Sequence, residues 1–182
     1  MDRKEFLKAC TGGLCACATA CLPANAAEAP PKPDDWRLHF VKQRYAKLLS
    51  TLGQRMDQKQ LAVALQDVGA FCASQSEERA KKFRGDIEAY CKSFKDGAMK
   101  DSSMDVTYDK ARNVITSIYS PGADCTCAFN SLAHKTPGVE CECSVGWVRH
   151  TFGIVLEHEP KVELKEAVLR GDKVCKFEIT PV

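Results

Sequence analysis

The sequence predicts an α+β domain: N-terminal helices packed on a small antiparallel sheet, with a helix between the Cys-x-Cys pairs and a C-terminal β-hairpin. Three observations carry this reading. From Trp36 to Phe94, apolar residues recur at intervals of three and four, the spacing of one helix face. From Met104 to Tyr119, and again from Lys173 to Thr180, apolar and polar residues alternate, the period of a half-buried strand. Glycine, proline and aspartate punctuate these runs where turns are needed.

The elements follow in order. Residues 27–35 read as a Pro-rich linker, because the prolines of Ala29-Pro30-Pro31-Lys32-Pro33 lack amide donors and exclude helix. The rest, 36–182, is one domain, with a helical half over 36–96 and a strand, cysteine and hairpin half over 103–182. Asp34 or Asp35 caps a helix that begins near Trp36, carries Leu38, Val41, Tyr45, Leu48 and Leu52 on one stripe, and stops at Gly53. A second helix, about Gln58 to Ala73, buries Leu61, Leu65, Val68 and Cys72. A third, Phe83 to Phe94, buries Phe83, Ile87, Cys91 and Phe94. On these stripes Cys72 and Cys91 read as small buried hydrophobes, the alternative being a disulfide between neighbouring helices.

Met104–Tyr108 and Asn113–Tyr119 read as strands joined at Asp109-Lys110, and Pro121-Gly122 ends the second. Thr136-Pro137-Gly138 turns the chain between the cysteine pairs. Ser144 then caps a helix from Val145 to about Glu157, with Val145, Val148, Phe152 and Val155 on its apolar face. Gly146 and Gly153 weaken that helix, so each points to a close backbone approach. Pro160 ends it. Lys161–Leu169 and Lys173–Thr180 form the hairpin across Arg170-Gly171-Asp172, with Cys175, Phe177 and Ile179 on the core face.

The two cysteine pairs, Cys125-Thr-Cys127 and Cys141-Glu-Cys143, are separated by thirteen residues. In an extended chain both side chains of a pair leave the same face. Two pairs brought together by a loop surround one point with four thiolates. Such a set holds Zn²⁺ or an iron–sulfur centre, or closes into disulfides. The expected metal ligands are Cys125, Cys127, Cys141 and Cys143, with Cys175 and His134 as further candidates and zinc as the first choice. Cys143 stands just before a helix N-terminus, where the macrodipole favours a thiolate. It is therefore also the candidate nucleophile of a rival enzyme reading, with His134 as its base.

The first 26 residues read as an export signal. Asp2-Arg3-Lys4-Glu5-Phe6-Leu7-Lys8 resembles the twin-arginine translocation consensus, with Lys4 in place of the second arginine. A mildly apolar run, Ala9 to Leu22, follows, and Ala24-Asn25-Ala26 fits cleavage before Ala27. The expected location is periplasmic or extracellular. Leu14-Cys15-Ala16-Cys17 and Ala18-Thr19-Ala20-Cys21 loosely resemble a lipobox, which makes a lipid anchor at Cys17 or Cys21 a further option. Cleavage leaves Cys72, Cys91, Cys125, Cys127, Cys141, Cys143 and Cys175, an odd number that a closed set of disulfides cannot use up.

The segment from Cys141 to Ile179 resembles the C-terminal half of the 4-vinyl-reductase-like domains, whose fold is shared with haem-based nitric oxide sensor domains. The shared features are a cysteine-led helix with Gly146, then Glu163, then Gly171-x-x-x-Cys175-x-Phe177. Ala167 stands where that family usually has a further cysteine. The double Cys-x-Cys with Cys143-Ser144-x-Gly146-Trp147 resembles uncharacterised small bacterial proteins near the L-2-amino-thiazoline-4-carboxylic acid hydrolase family. These resemblances imply small-molecule binding or sensing, or hydrolysis of a small cyclic C–N substrate.

Other classes lack support. The net charge is +2 and there is no basic block with interleaved aromatics, so nucleic-acid binding is not expected. No apolar run is long enough for a transmembrane segment. No Ser-His-Asp pattern, phosphate loop or His-Glu-x-x-His motif occurs. The expectation is an exported cysteine-cluster metal-binding module with a small-molecule-sensing ancestry. A hydrolase, or a disulfide-stabilised periplasmic domain without metal, are the alternatives.

Overall fold

The computed structural model describes residues 36–97, 99, 103–120 and 138–182. Among the described residues four helices come first: α1 (Trp36–Arg55), α2 (Gln58–Ser74), α3 (Glu78–Lys81) and α4 (Ile87–Lys95). Strands β1 (Met104–Asp109) and β2 (Val114–Tyr119) follow. Then come a 3-10 turn at Gly138–Glu140, helix α5 (Cys141–Leu156), β3 (Lys161–Glu166), a second 3-10 turn at Val168–Arg170, and β4 (Cys175–Thr180). The strands form one antiparallel sheet in the order β1-β2-β4-β3. The expected α+β class, antiparallel sheet and C-terminal hairpin are all present.

Local chemistry sets the helix starts. Asp57 accepts from the amides of Lys59 (2.9 Å) and Gln60 (3.3 Å) and opens α2. Asp86 accepts from the amide of Ala89 (2.9 Å) and opens α4. The expected single helix from Phe83 is broken just before Asp86. Gly85 adopts φ +75°, which glycine reaches without steric cost, and its amide donates to the Val155 carbonyl at 2.8 Å.

The sheet buries one face. Val106, Ile115, Phe177 and Ile179 meet Val145, Val148, Phe152 and Val155 of α5 and Tyr90, Cys91 and Phe94 of α4 in the main core. Tyr90 packs edge-on against Phe83, Phe94 and Phe152 at centroid distances of 5.5, 5.2 and 5.4 Å. The other face is polar. There Lys165 bridges Glu163 (2.6 Å) and Glu178 (3.0 Å) on the neighbouring strand. Lys161 and Lys165 hold the Glu163 carboxyl down to about 2.

A second, smaller cluster joins Leu49 of α1 to Leu61 and Leu65 of α2, with Tyr45, Leu52 and Val139 against it. The inward stripe of α1 is thus Tyr45, Leu49 and Leu52. Leu38, Val41 and Leu48, expected on that stripe, are exposed. In α2 the buried stripe is Leu61, Leu65, Gly69 and Ala73, which leaves Val68 and Cys72 exposed rather than buried as expected.

The reason lies in how α2 meets α5. A Cβ at Gly69 would fall 1.8 Å from the Cys143 carbonyl oxygen, and one at Gly146 would fall 1.8 Å from the Gln66 carbonyl oxygen. The two helices touch backbone to backbone, so at the crossing Gly69 faces inward and Val68 and Cys72 are left outside. The expected close approach at Gly146 is confirmed. At Gly153 a Cβ would meet nothing nearer than 3.7 Å, so no such approach occurs there.

Candidate functional site: the cysteine end of the domain

The start of α5 is held from three sides. Val139 sits in the small cluster with Leu49, Leu61 and Leu65. Glu140 is buried, and the Tyr45 hydroxyl lies 3.1 and 3.3 Å from its two carboxylate oxygens. Gln66 donates to Glu142 Oε2 at 3.0 Å, and Arg170 Nη2 donates to Glu142 Oε1 at 3.0 Å. These contacts tie together α1, α2, α5 and the turn before β4.

Glu140 is a costly group to bury, and burial raises its carboxyl above the ordinary range, with the Tyr45 hydroxyl opposing the shift. Such a group costs stability above its folded pKa, and the cost is relieved as pH falls through it. Tyr45→Phe removes the phenol donor from the ionised form. We expect a loss of about 2 kcal/mol at neutral pH. The loss should shrink in acid as Glu140 takes up a proton. Thermal melts of both proteins across pH check this. An equal difference at every pH would contradict it.

The anchored start places Cys141 and Cys143 in the first turn of α5. The helix therefore begins at the pair itself and not at Val145, and Ser144 lies within it rather than capping it. This corrects the extended reading of Cys141-Glu-Cys143. Side chains two residues apart on a helix point about 200° apart, so this pair does not present both sulfurs on one face. Cys141 is buried and Cys143 half-buried.

Cys175 opens β4, pairs in register with Tyr119 at the end of β2, and packs half-buried against the main core. Arg170, which grips Glu142 beside Cys141 and Cys143, precedes Cys175 by five residues, a span of at most about 17 Å. Cys141, Cys143 and Cys175 each take part in a polar or electrostatic interaction. Cys125, Cys127 and His134 lie outside the described residues. The described chain leaves at the end of β2, beside Cys175, and resumes just before Cys141, so described cysteines stand at both ends of the segment that carries Cys125 and Cys127. Among the described residues, no group of three or more His, Cys, Asp or Glu side chains is placed to hold a metal ion. A metal site with three or more such ligands at this end would need residues outside the described ones, such as Cys125, Cys127 or His134.

The remaining cysteines stand apart. Cys72 faces outward on α2, while Cys91 is buried in α4 with its thiol pushed up to about 11 by burial. Both are free thiols, so the alternative of a disulfide between these helices is not found.

A second feature was missed from sequence. An open cleft of about 680 Å³ beside the α2–α5 contact is lined by Gln66, Arg84, Arg149, His150, Glu157 and His158, among others. Arg149 donates to Gln66 Oε1 at 3.0 Å, and His150 Nε2 lies 3.2 Å from Glu77 Oε2. Hydrogen bonds from Lys81 and then His150 hold the Glu77 carboxyl below its ordinary range. The available signal was Gly146, His150 and Gly153 at i, i+4 and i+7, one helix face. Cys143 does not line this cleft. It stands seven residues before His150, about 10 Å along the axis, too far for direct proton transfer between them.

No family model and no curated protein matches the chain. Among solved structures, the chain is similar to trafficking protein particle complex subunit 3 from Naegleria fowleri, solved covalently bound to palmitic acid. The match covers 80% of this chain and 95% of that one, with a TM-score of 0.52 and 13% identity. At that identity the likeness is one of fold.

Proposed function

We propose that this chain is a metal-binding module whose ion, zinc in the first place, is held by thiolates at the cysteine end of the domain. The supporting observation is the bracketing of the Cys125–Cys127 segment by Cys175 at one end and Cys141 and Cys143 at the other. The helical start of α5 supports a different ligand set from the two complete pairs. With its side chains about 200° apart, the second pair supplies one ligand rather than two. Cys125, Cys127 and Cys175 supply the other three, giving the four-thiolate shell that structural zinc prefers. Both candidate cysteines in the first turn benefit from the positive end of the α5 dipole, which favours the thiolate form that binds metal.

The test is metal content in single Cys→Ser variants. Loss is expected for Cys125, Cys127, Cys175 and one of Cys141 and Cys143. If both members of the second pair prove essential while Cys175 is dispensable, the ligand set is wrong. The hydrolase reading would take Cys143 as its nucleophile and His134, outside the described residues, as its base. Turnover of an aminothiazoline carboxylate, abolished by Cys143→Ala, would revive it.

The reading includes export. Its support is the basic start, the weakly apolar run and Ala24-Asn25-Ala26. No helix among the described residues is long and apolar enough to cross a membrane. The native chain should begin near Ala27, or carry a lipid on Cys17 or Cys21, by intact mass. Met1 retained in a cytoplasmic fraction would contradict this. The proposal extends to a small-molecule-binding ancestry, which leans on the fold: the trafficking-complex subunit of similar fold was solved with a covalently bound fatty acid.

A further inference from the structure

Helix α1 carries little of its own weight in the fold. Leu49 is the one buried residue among its twenty. A helix gains most of its stability from packing an apolar face, and here much of that face has no cover within the domain. Trp36 is 68% exposed, Val41 57% and Leu48 53%. At about 100° per residue, Trp36, Phe40, Val41, Arg44, Lys47 and Leu48 fall in one arc turned away from Leu49.

The same helix is charged with one sign. Arg37, Lys42, Arg44, Lys47 and Arg55 are its ionised residues, and its sequence holds no Asp or Glu. Basic and aromatic groups are paired on the outward side. The Arg37 guanidinium lies 5.6 Å from the centre of the Trp36 ring, and that of Arg44 lies 5.0 Å from the Phe40 ring. Phe40, Val41 and Leu48 line a shallow open groove together with Arg44 and Lys47. Apolar and aromatic groups that enter the acyl boundary, beside cations at headgroup level, are the make-up of an interfacial helix.

We propose that the outward face of α1 docks on the surface of a membrane rich in anionic lipids. Charge decides this occupant over a second copy of the chain. Two such faces in contact would bring together cations with no carboxylate from either helix between them. An anionic bilayer supplies the opposite charge across the whole face and takes the exposed tryptophan and phenylalanine as well. The proposal is independent of the metal site, which lies at the other elements of the domain.

The experiment is vesicle co-sedimentation of the full chain carrying Cys17→Ser and Cys21→Ser, so that no acyl anchor contributes. The vesicles are phosphatidylglycerol and phosphatidylcholine in equal parts, or phosphatidylcholine alone. Binding is expected to the first and not the second, with release at about 0.5 M salt as the charges are screened. Two variants of exposed positions, each checked for an unchanged melting temperature, separate the contributions. Arg44→Glu with Lys47→Glu should weaken binding at least about tenfold. Trp36→Ala with Phe40→Ala should do so to a similar extent. No binding to anionic vesicles, equal binding to both kinds, or binding unaffected by either variant overturns the proposal. So does a dimer that Leu48→Glu dissociates while the wild type leaves vesicles untouched.

Discussion

Gly146→Ala should destabilise the domain by about 3–5 kcal/mol, in the far tail of single-substitution effects. The new Cβ would lie 1.8 Å from the Gln66 carbonyl oxygen, and the obstacle is backbone, which cannot swing aside as a side chain could. The two helices would have to move apart along their contact, and a close-packed interior accommodates such a shift poorly. Gly69→Ala should cost a similar amount, since its Cβ would lie 1.8 Å from the Cys143 carbonyl oxygen. For a chain of this size the melting temperature should fall by roughly 10 °C or more. Gly153→Ala is the matched control on the same helix. Its Cβ would meet nothing nearer than 3.7 Å, and alanine is the better helix former by up to about 1 kcal/mol. It should be neutral or stabilising. Equal losses at Gly146 and Gly153 would mean that the close crossing is not what fixes α5.

The second large effect is that of metal removal. The proposed ion would tie the end of β2, the start of α5 and the start of β4 to one point. Structural zinc contributes about 10–16 kcal/mol to peptides that have no other core. This domain has its own core of α4, α5 and the sheet, so a chelator should lower its stability by less, on the order of 5 kcal/mol. The change should be reversed by adding zinc. Cys72→Ser should leave metal content and melting temperature unchanged, because Cys72 is exposed on α2 and is not one of the proposed ligands.

The sequence revealed the elements better than the sides they bury. Strict alternation placed β1, β2 and β4 and put Phe177 and Ile179 in the core, because a strand has only two faces. In α2 the helical period allowed several stripes, and bulk favoured the one with Val68 and Cys72. The protein buries Gly69 and Ala73 instead, since a backbone-to-backbone crossing rewards small residues, and apolar size alone does not register that. In α1 the period likewise fixed the helix, but partners at distant positions chose Tyr45, Leu49 and Leu52 as its inner edge. The expected start of α5 at Val145 falls four residues late, because the start at Cys141 is set by long-range contacts. Those are Tyr45 with Glu140 and Arg170 with Glu142, pairs 95 and 28 residues apart. His150 was passed over for a similar reason, as its partner Glu77 lies 73 residues away.

The most direct test of the cysteine-site account is the metal content and free-thiol count of the native chain, purified without reducing agent and without added metal. One equivalent of zinc is expected. Mild denaturation with a chelator should release that zinc together with four thiols that were unreactive before. A metal-free protein in which the same cysteines are consumed as disulfides would contradict the account and leave a domain stabilised by covalent bridges.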